Sequence, residues 1–205
     1  MDKSNKNNNY RYIIGIDEAG RGPLAGPLVV GGVLLVVNNL REEWKILEGI
    51  RDSKKLSEKK RNIWFEKIKK HPQLRTAHAI ISSKVIDKIN IARAANLGAA
   101  RVYQKLLEKI PKGLKLKTKL DGSLYLPKGV PCQTIIKGDE KIPTIAAASV
   151  VAKVTRDRIM VRLHKKFPEY GFDRHKGYGT KLHRNILVNR GATKAHRQSF
   201  LTKII

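Results

Sequence analysis

The sequence predicts a single α/β domain with a helical C-terminal part, and three observations carry that prediction. Two apolar runs near the start, around Ile13–Ile16 and Pro27–Val37, are bounded by turn residues in the manner of buried strands. Later stretches repeat their apolar residues at helical spacing. No internal repeat, linker or change of composition divides the 205 residues, a length that suits one large domain with a substantial core.

Residues 1–10 are rich in Asn and Lys without apolar periodicity and read as a disordered polar tail, leaving 11–205 as the domain. A first strand is expected over Arg11–Asp17. It ends at two adjacent acids, Asp17 and Glu18, and gives way to a turn through Gly20-Arg21-Gly22-Pro23. The second run is dense in valine, as a central strand would be. Its Gly31-Gly32 pair marks a bulge or a close backbone approach, and Asn38-Asn39 marks a turn. Ser57 is a good N-cap for a helix with Ile63, Trp64, Phe65 and Ile68 on its apolar face, ended by Pro72. A strand fits Arg75–Ser82 and a long helix fits Ile91–Ile110. Leu114–Leu120 alternates leucine with lysine or threonine, a half-buried strand that ends at Asp121-Gly122. Gln133–Lys137 is a further short strand. Ile145–Phe167 is helical up to Pro168. A glycine-containing loop then leads to a last helix over Lys181–Asn189, with Gly191 as its C-cap.

Charge sets the partner class. With 43 Lys and Arg against 17 Asp and Glu, the net charge is +26. Such a surface seeks polyanions, so nucleic acid is the leading partner, a generally basic proteome being the bland alternative. No strongly amphipathic basic stretch stands apart to favour a membrane surface. The single cysteine, Cys132, leaves no internal disulfide and no zinc cluster. No apolar run approaches a membrane span, and the polar start is not a signal peptide. A soluble, cytoplasmic protein is expected, without membrane contact and monomeric.

Four acids hold unusual positions. Asp17 and Glu18 close the first strand, Asp121 closes a later one beside a glycine, and Asp157 lies inside the penultimate helix. Neighbouring strands would bring Asp17 and Asp121 to one edge of a sheet. In the helix, Ser149, Lys153 and Asp157 recur every four residues and share a face. Clustered carboxylates hold protons unless something positive neutralises them. In this chain that is either a basic side chain, such as Lys153 on Asp157, or a metal ion. Hard oxygen ligands suit Mg²⁺ or Mn²⁺, and two such ions can serve phosphodiester hydrolysis.

Beyond these spacings, Asp17-Glu18-Ala19-Gly20-Arg21-Gly22 resembles the signature of ribonuclease HII, the type 2 ribonuclease H. Further blocks are similar to that family in the same order: Asp52-Ser53-Lys54-Lys55-Leu56-Ser57, then Asp121-Gly122, then Ala148-Ser149-Val150-Val151-Ala152-Lys153-Val154-Thr155-Arg156-Asp157. His175-Lys176-Gly177-Tyr178-Gly179-Thr180 with His183, and His196-Arg197-Gln198-Ser199-Phe200, complete the resemblance, which spans nearly the whole chain. It implies a ribonuclease H-like fold, a mixed central β-sheet flanked by α-helices. It also implies metal-dependent cutting of RNA in RNA–DNA hybrids and at single ribonucleotides in duplex DNA, leaving 3′-hydroxyl and 5′-phosphate ends. Asp17, Glu18, Asp121 and Asp157 match the acids that hold the metals.

The remaining motif residues have physical readings of their own. A backbone as tight as Gly20-Arg21-Gly22 can approach a ribose and read its 2′-hydroxyl; as an ordinary turn it would serve only to let Arg21 neutralise Asp17 or Glu18. Tyr178, between two glycines, offers a flat ring that the resemblance places on the sugar beside the scissile phosphate. Ser53, Lys54, Ser149 and Lys153 are candidates for phosphate contacts. His183 and His196 receive no chemical role, and Asp139 and Asp173 match no acidic position. The rival readings are a ribonuclease HIII-like hybrid nuclease and a non-catalytic basic nucleic-acid-binding protein. Type 3 enzymes generally carry a lysine in the glycine turn, where this chain has Arg21. A mere binding protein gives no reason for four acids at strand ends and on a helix face.

Overall fold

The computed structural model describes residues 11–37, 40–50, 56–111, 115–202 and 204. The tail 1–10, the Asn38-Asn39 turn and the loop carrying Asp52, Ser53 and Lys54 lie outside the described residues. Five strands form one mixed sheet in the order β3-β2-β1-β4-β5. These are β1 (Arg11–Ala19), β2 (Leu28–Val37), β3 (Leu74–Ile81), β4 (Leu116–Asp121) and β5 (Gln133–Ile135). β1 runs antiparallel to β2 and parallel to β4, and β4 runs parallel to β5. The helices are α1 (Leu40–Ile46), α2 (Glu58–Lys70), α3 (Ser83–Ile89), α4 (Ile91–Leu107), α5 (Gly138–Lys141), α6 (Pro143–Lys166), α7 (Phe172–His175) and α8 (Lys181–Arg190).

Strand alternation sorts β1 between two cores. Ile14 and Ile16 face α4 and pack with Val102 and Leu106, whereas Ile13 faces α6 and packs with the alanines Ala146 to Ala148. Two glycines let α6 lie almost against the sheet. A Cβ on Gly15 would come within 2.3 Å of the Thr144 carbonyl carbon, and one on Gly31 within 2.5 Å of the Ala148 oxygen. The Gly31-Gly32 pair is therefore a close approach and not a bulge, since β2 keeps unbroken register through both residues. A third cluster, including Leu24, Met160, Phe172 and Leu187, gathers the C-terminal helices at the end of the sheet where the acids lie.

The start of α6 is held by a buried acid. Glu43 of α1 accepts from Thr144 Oγ1 at 2.8 Å and pairs with Lys119 Nζ at 3.1 Å. A carboxylate at a helix N-terminus meets the positive end of the macrodipole, and Pro143 needs no N–H there.

The boundaries differ from the sequence expectations in instructive ways. β1 runs two residues past Asp17, because its far edge still pairs with β2 through Ala19↔Val29. Ser82 does not extend β3 but caps α3, accepting from the Val85 N–H. The helix expected over Ile91–Ile110 ends at Leu107 and is preceded by α3, with Asn90 at φ 64° between them.

Candidate active site

β4 pairs with β1 only as far as Ile16↔Leu120, so beyond that point β1 has an open flank. A cleft of about 360 Å³ opens there, lined by Asp17, Glu18, Asp121, the turn from Gly20 to Gly22, Arg61, Ser149, Lys153, Arg156 and Tyr178. Asp17 lies on the α6 side of β1 and Glu18 on the α4 side, by strand alternation. Both nevertheless line the cleft while β1 keeps its register with β2 through Ala19.

Asp17 is 2% exposed. Burial, then the charge of Glu18, then that of Asp121 push its carboxyl well above the usual carboxylate range, against opposing bonds from Ser149 and the Glu18 amide. That amide donates to Asp17 Oδ1 at 2.7 Å. Glu18 is also raised, chiefly by burial; Arg21 opposes the shift and Asp121 adds to it. Arg21 Nη1 stands 3.4 Å from Glu18 Oε1 and donates to Ser123 Oγ at 2.8 Å. Asp121 is oriented from the other side, its Oδ1 accepting from Gly138 N–H at 2.6 Å. Even so, Asp17 Oδ2 and Glu18 Oε2 are buried without a hydrogen-bond partner, a state that costs roughly 1–3 kcal/mol per group.

Three of the four expected acids thus converge. The fourth, Asp157, lines an adjoining depression with Arg61 and Arg158, and its Oδ1 is held by Lys153 Nζ at 2.8 Å. Lys153 lines the cleft, whereas Asp157 does not. No group of three or more His, Cys, Asp or Glu side chains among the described residues is placed to hold a metal ion. The donors nevertheless fit a hard divalent cation of the Mg²⁺ type, which commonly binds through one or two carboxylates and takes its remaining ligands from water and phosphate.

Gly20 has φ +95°, and a Cβ there would fall 2.1 Å from Arg156 Nε, so only glycine fits the turn. Tyr178 is 46% exposed, with the Arg156 guanidinium 5.9 Å from its ring centre. Arg61 and Arg156 were not among the sequence candidates. Arg156 is buried in α6 and donates to the carbonyls of Pro27 and Ala25 at 3.0 and 3.2 Å, whereas a lone arginine in a basic helix reads as a surface charge.

The two histidines left without a role form a buried chain beneath the Tyr178 loop. Thr193 N–H donates to His196 Nδ1 at 2.9 Å, which leaves the proton on His196 Nε2. That nitrogen faces His183 Nε2 at 3.0 Å, and His183 Nδ1 faces the Tyr178 carbonyl at 2.9 Å. The chain is complete only with both rings neutral. Burial and the neighbouring His183 lower His196 to about 4. Because the folded value lies below the unfolded one, the unfolded state binds the proton more readily, and stability falls as pH drops from about 6.5 towards 4. Urea denaturation at pH 7 and pH 5 should show this residue removing about 2 kcal/mol at the lower pH. Equal pH sensitivity in His196→Gln would contradict the assignment.

A mixed sheet with carboxylates converging at its strand ends, beside a long basic helix and rimmed by arginines, has the architecture of the ribonuclease H-like class. The chain matches the family model of ribonuclease HII over residues 14–203, and ribonuclease HII of Caldicellulosiruptor bescii is 45% identical over 97% of this chain and 91% of that protein. It belongs to the ribonuclease HII family, the type 2 ribonucleases H, and is an endonuclease that hydrolyses nucleic acid. Ribonuclease HII of Archaeoglobus fulgidus, solved in complex with PCNA, is similar at TM-score 0.72 and 30% identity, covering 91% of this chain and 93% of that one. Bst ribonuclease HIII, solved in complex with Mn²⁺, shares the fold at TM-score 0.72 and 18% identity, covering 95% of this chain and 68% of that one. No helix among the described residues is long and apolar enough to cross a membrane.

Proposed function

We propose that residues 11–205 act as one catalytic domain that cuts the RNA strand of RNA–DNA hybrids and cuts at single ribonucleotides in duplex DNA, leaving 3′-hydroxyl and 5′-phosphate ends. The observation that carries this reading is the pair of buried, unpartnered oxygens on Asp17 and Glu18, next to a glycine turn and an exposed tyrosine. Asp17, Glu18 and Asp121 would hold Mg²⁺ or Mn²⁺, two ions during catalysis. Such ions stabilise charge on the scissile phosphate and lower the pKa of an attacking water.

The chain's own groups do the rest. Asp121 is fixed by the Gly138 amide, and Asp17 by Ser149 and the Glu18 amide, in the cleft that both line. Arg21 tethers Glu18 while its turn brings backbone against the ribose. Tyr178 packs on the neighbouring sugar. Lys153 swings from Asp157 to a substrate phosphate, which frees Asp157 to serve as the fourth acid, and Ser149, Ser53 and Lys54 add phosphate contacts. The same reading takes the protein to act as a monomer.

End-labelled duplexes carrying one ribonucleotide should be cut in Mg²⁺ or Mn²⁺ and spared in EDTA. Cutting that persists in chelator would sink the metal reading, and an intact duplex under all conditions would sink the activity.

A further inference from the structure

Arg197 lies outside the cleft and is fully buried, yet no carboxylate among the described residues contacts its guanidinium. It meets three backbone carbonyls of one segment. Nη2 donates to the Gly20 oxygen at 2.6 Å, Nη1 to the Arg21 oxygen at 2.9 Å and Nε to the Gly26 oxygen at 3.1 Å. Burying a guanidinium among neutral acceptors is costly, and the cost shows in its pKa, lowered to about 9 by burial and by nearby Arg156. Its position is fixed from several sides. The Arg197 N–H donates to the Leu24 oxygen at 2.8 Å, and Gly26 N–H donates to the Ala195 oxygen at 2.8 Å. The Phe200 ring centre lies 5.2 Å from the guanidinium carbon.

The geometry of a trans peptide turns this grip into aim. The Gly20 carbonyl shares its plane with the Arg21 N–H, and the Arg21 carbonyl with the Gly22 N–H, each pair pointing in opposite directions. Arg197 holds both carbonyls from the interior, so both N–H groups are directed away from it. Gly20, Arg21 and Gly22 line the cleft, and Arg197 does not. A planar fork with donors in fixed directions can orient successive peptide planes, whereas a lysine ammonium is a compact charge without that fork.

Resting on the ribose-reading role proposed above, we propose that Arg197 is the positioning residue of the turn. It aims the Arg21 and Gly22 amides at the 2′-substituent and thereby sets discrimination between a 2′-hydroxyl and other groups at that carbon. Its weight falls on the reacting geometry more than on duplex binding, which the phosphate contacts carry.

The test compares wild type, Arg197→Lys and Phe200→Leu on two duplexes that differ only in one nucleotide, 2′-hydroxyl in one and 2′-fluoro in the other. Phe200→Leu is the milder change, removing the ring against the guanidinium but none of its hydrogen bonds, and it serves where Arg197→Lys fails to fold. Misaimed amides should lower kcat on the 2′-hydroxyl duplex by roughly tenfold to a hundredfold, with KM within about twofold. The preference for 2′-hydroxyl over 2′-fluoro should narrow, in Phe200→Leu to a smaller degree. A merely structural role would reduce the active fraction and scale both rates together. An unchanged preference in the folded variants, with wild type cutting normally, would overturn the Arg197 assignment and leave the nuclease reading intact. Failure of wild type to cut the 2′-hydroxyl duplex would instead overturn the nuclease reading.

Discussion

Asp17→Asn should lower the cleavage rate by on the order of a thousandfold while leaving duplex binding intact or tighter. The rate loss is that expected when a fixed charge is removed from the reacting centre. Binding should survive because the phosphate contacts come from elsewhere in a chain of net charge +26, and removing a carboxylate relieves repulsion. The same variant should melt at a higher temperature than wild type in chelator at neutral pH. Asp17 carries a carboxyl raised well above its ordinary range, so its charge opposes folding as pH rises from the unfolded value through the folded one. Asparagine removes that charge. A folded Asp17→Asn enzyme that cuts at near-normal rate would take Asp17 out of the site.

The second large effect belongs to Tyr178. Its ring is half exposed at the mouth of the cleft, between two glycines that supply no competing side chain. Arg156 backs the ring, and the His196–His183 chain ends on its own carbonyl. Both supports reduce the motion the ring must lose when a sugar or base packs on it. Stacking of this kind is worth about 1–3 kcal/mol, so Tyr178→Ala should lower kcat/KM about 5- to 150-fold. Tyr178→Phe, which keeps the flat face, should lose much less. If alanine left kcat/KM within twofold, the tyrosine would be an anchor of its loop and no part of the substrate surface.

The acids were legible because local sequence announces them. Asp17 and Glu18 stand where an apolar run meets a glycine turn, and Asp121 stands where an alternating strand meets Gly122. Ser149, Lys153 and Asp157 share a helix face by spacing alone, and the Lys153–Asp157 pair fulfils that spacing. Spacing could not tell whether Asp157 faces the cleft or a lysine, since Ser149, which lines the cleft, and Lys153 share its face of α6. Arg156 and Arg197 were not legible as supports. A buried arginine differs from a surface one only through carbonyls brought to it from remote segments, here Pro27 and Ala25 for one and Gly20 and Arg21 for the other. The histidine chain was hidden for the same reason, because His183 and His196 meet across a loop and an antiparallel contact at Ala25. Short helices such as α3 escaped because seven residues hold too little periodicity to separate them from a strand end.

The central claim is that Asp17, Glu18 and Asp121 converge to hold a cation. Calorimetric titration of Mn²⁺ into the intact protein, for wild type beside Asp17→Asn and Asp121→Asn, tests it without relying on catalysis. Saturable binding in wild type, weakened at least about tenfold in both variants, is the predicted result. Equal Mn²⁺ affinity in all three proteins would contradict it.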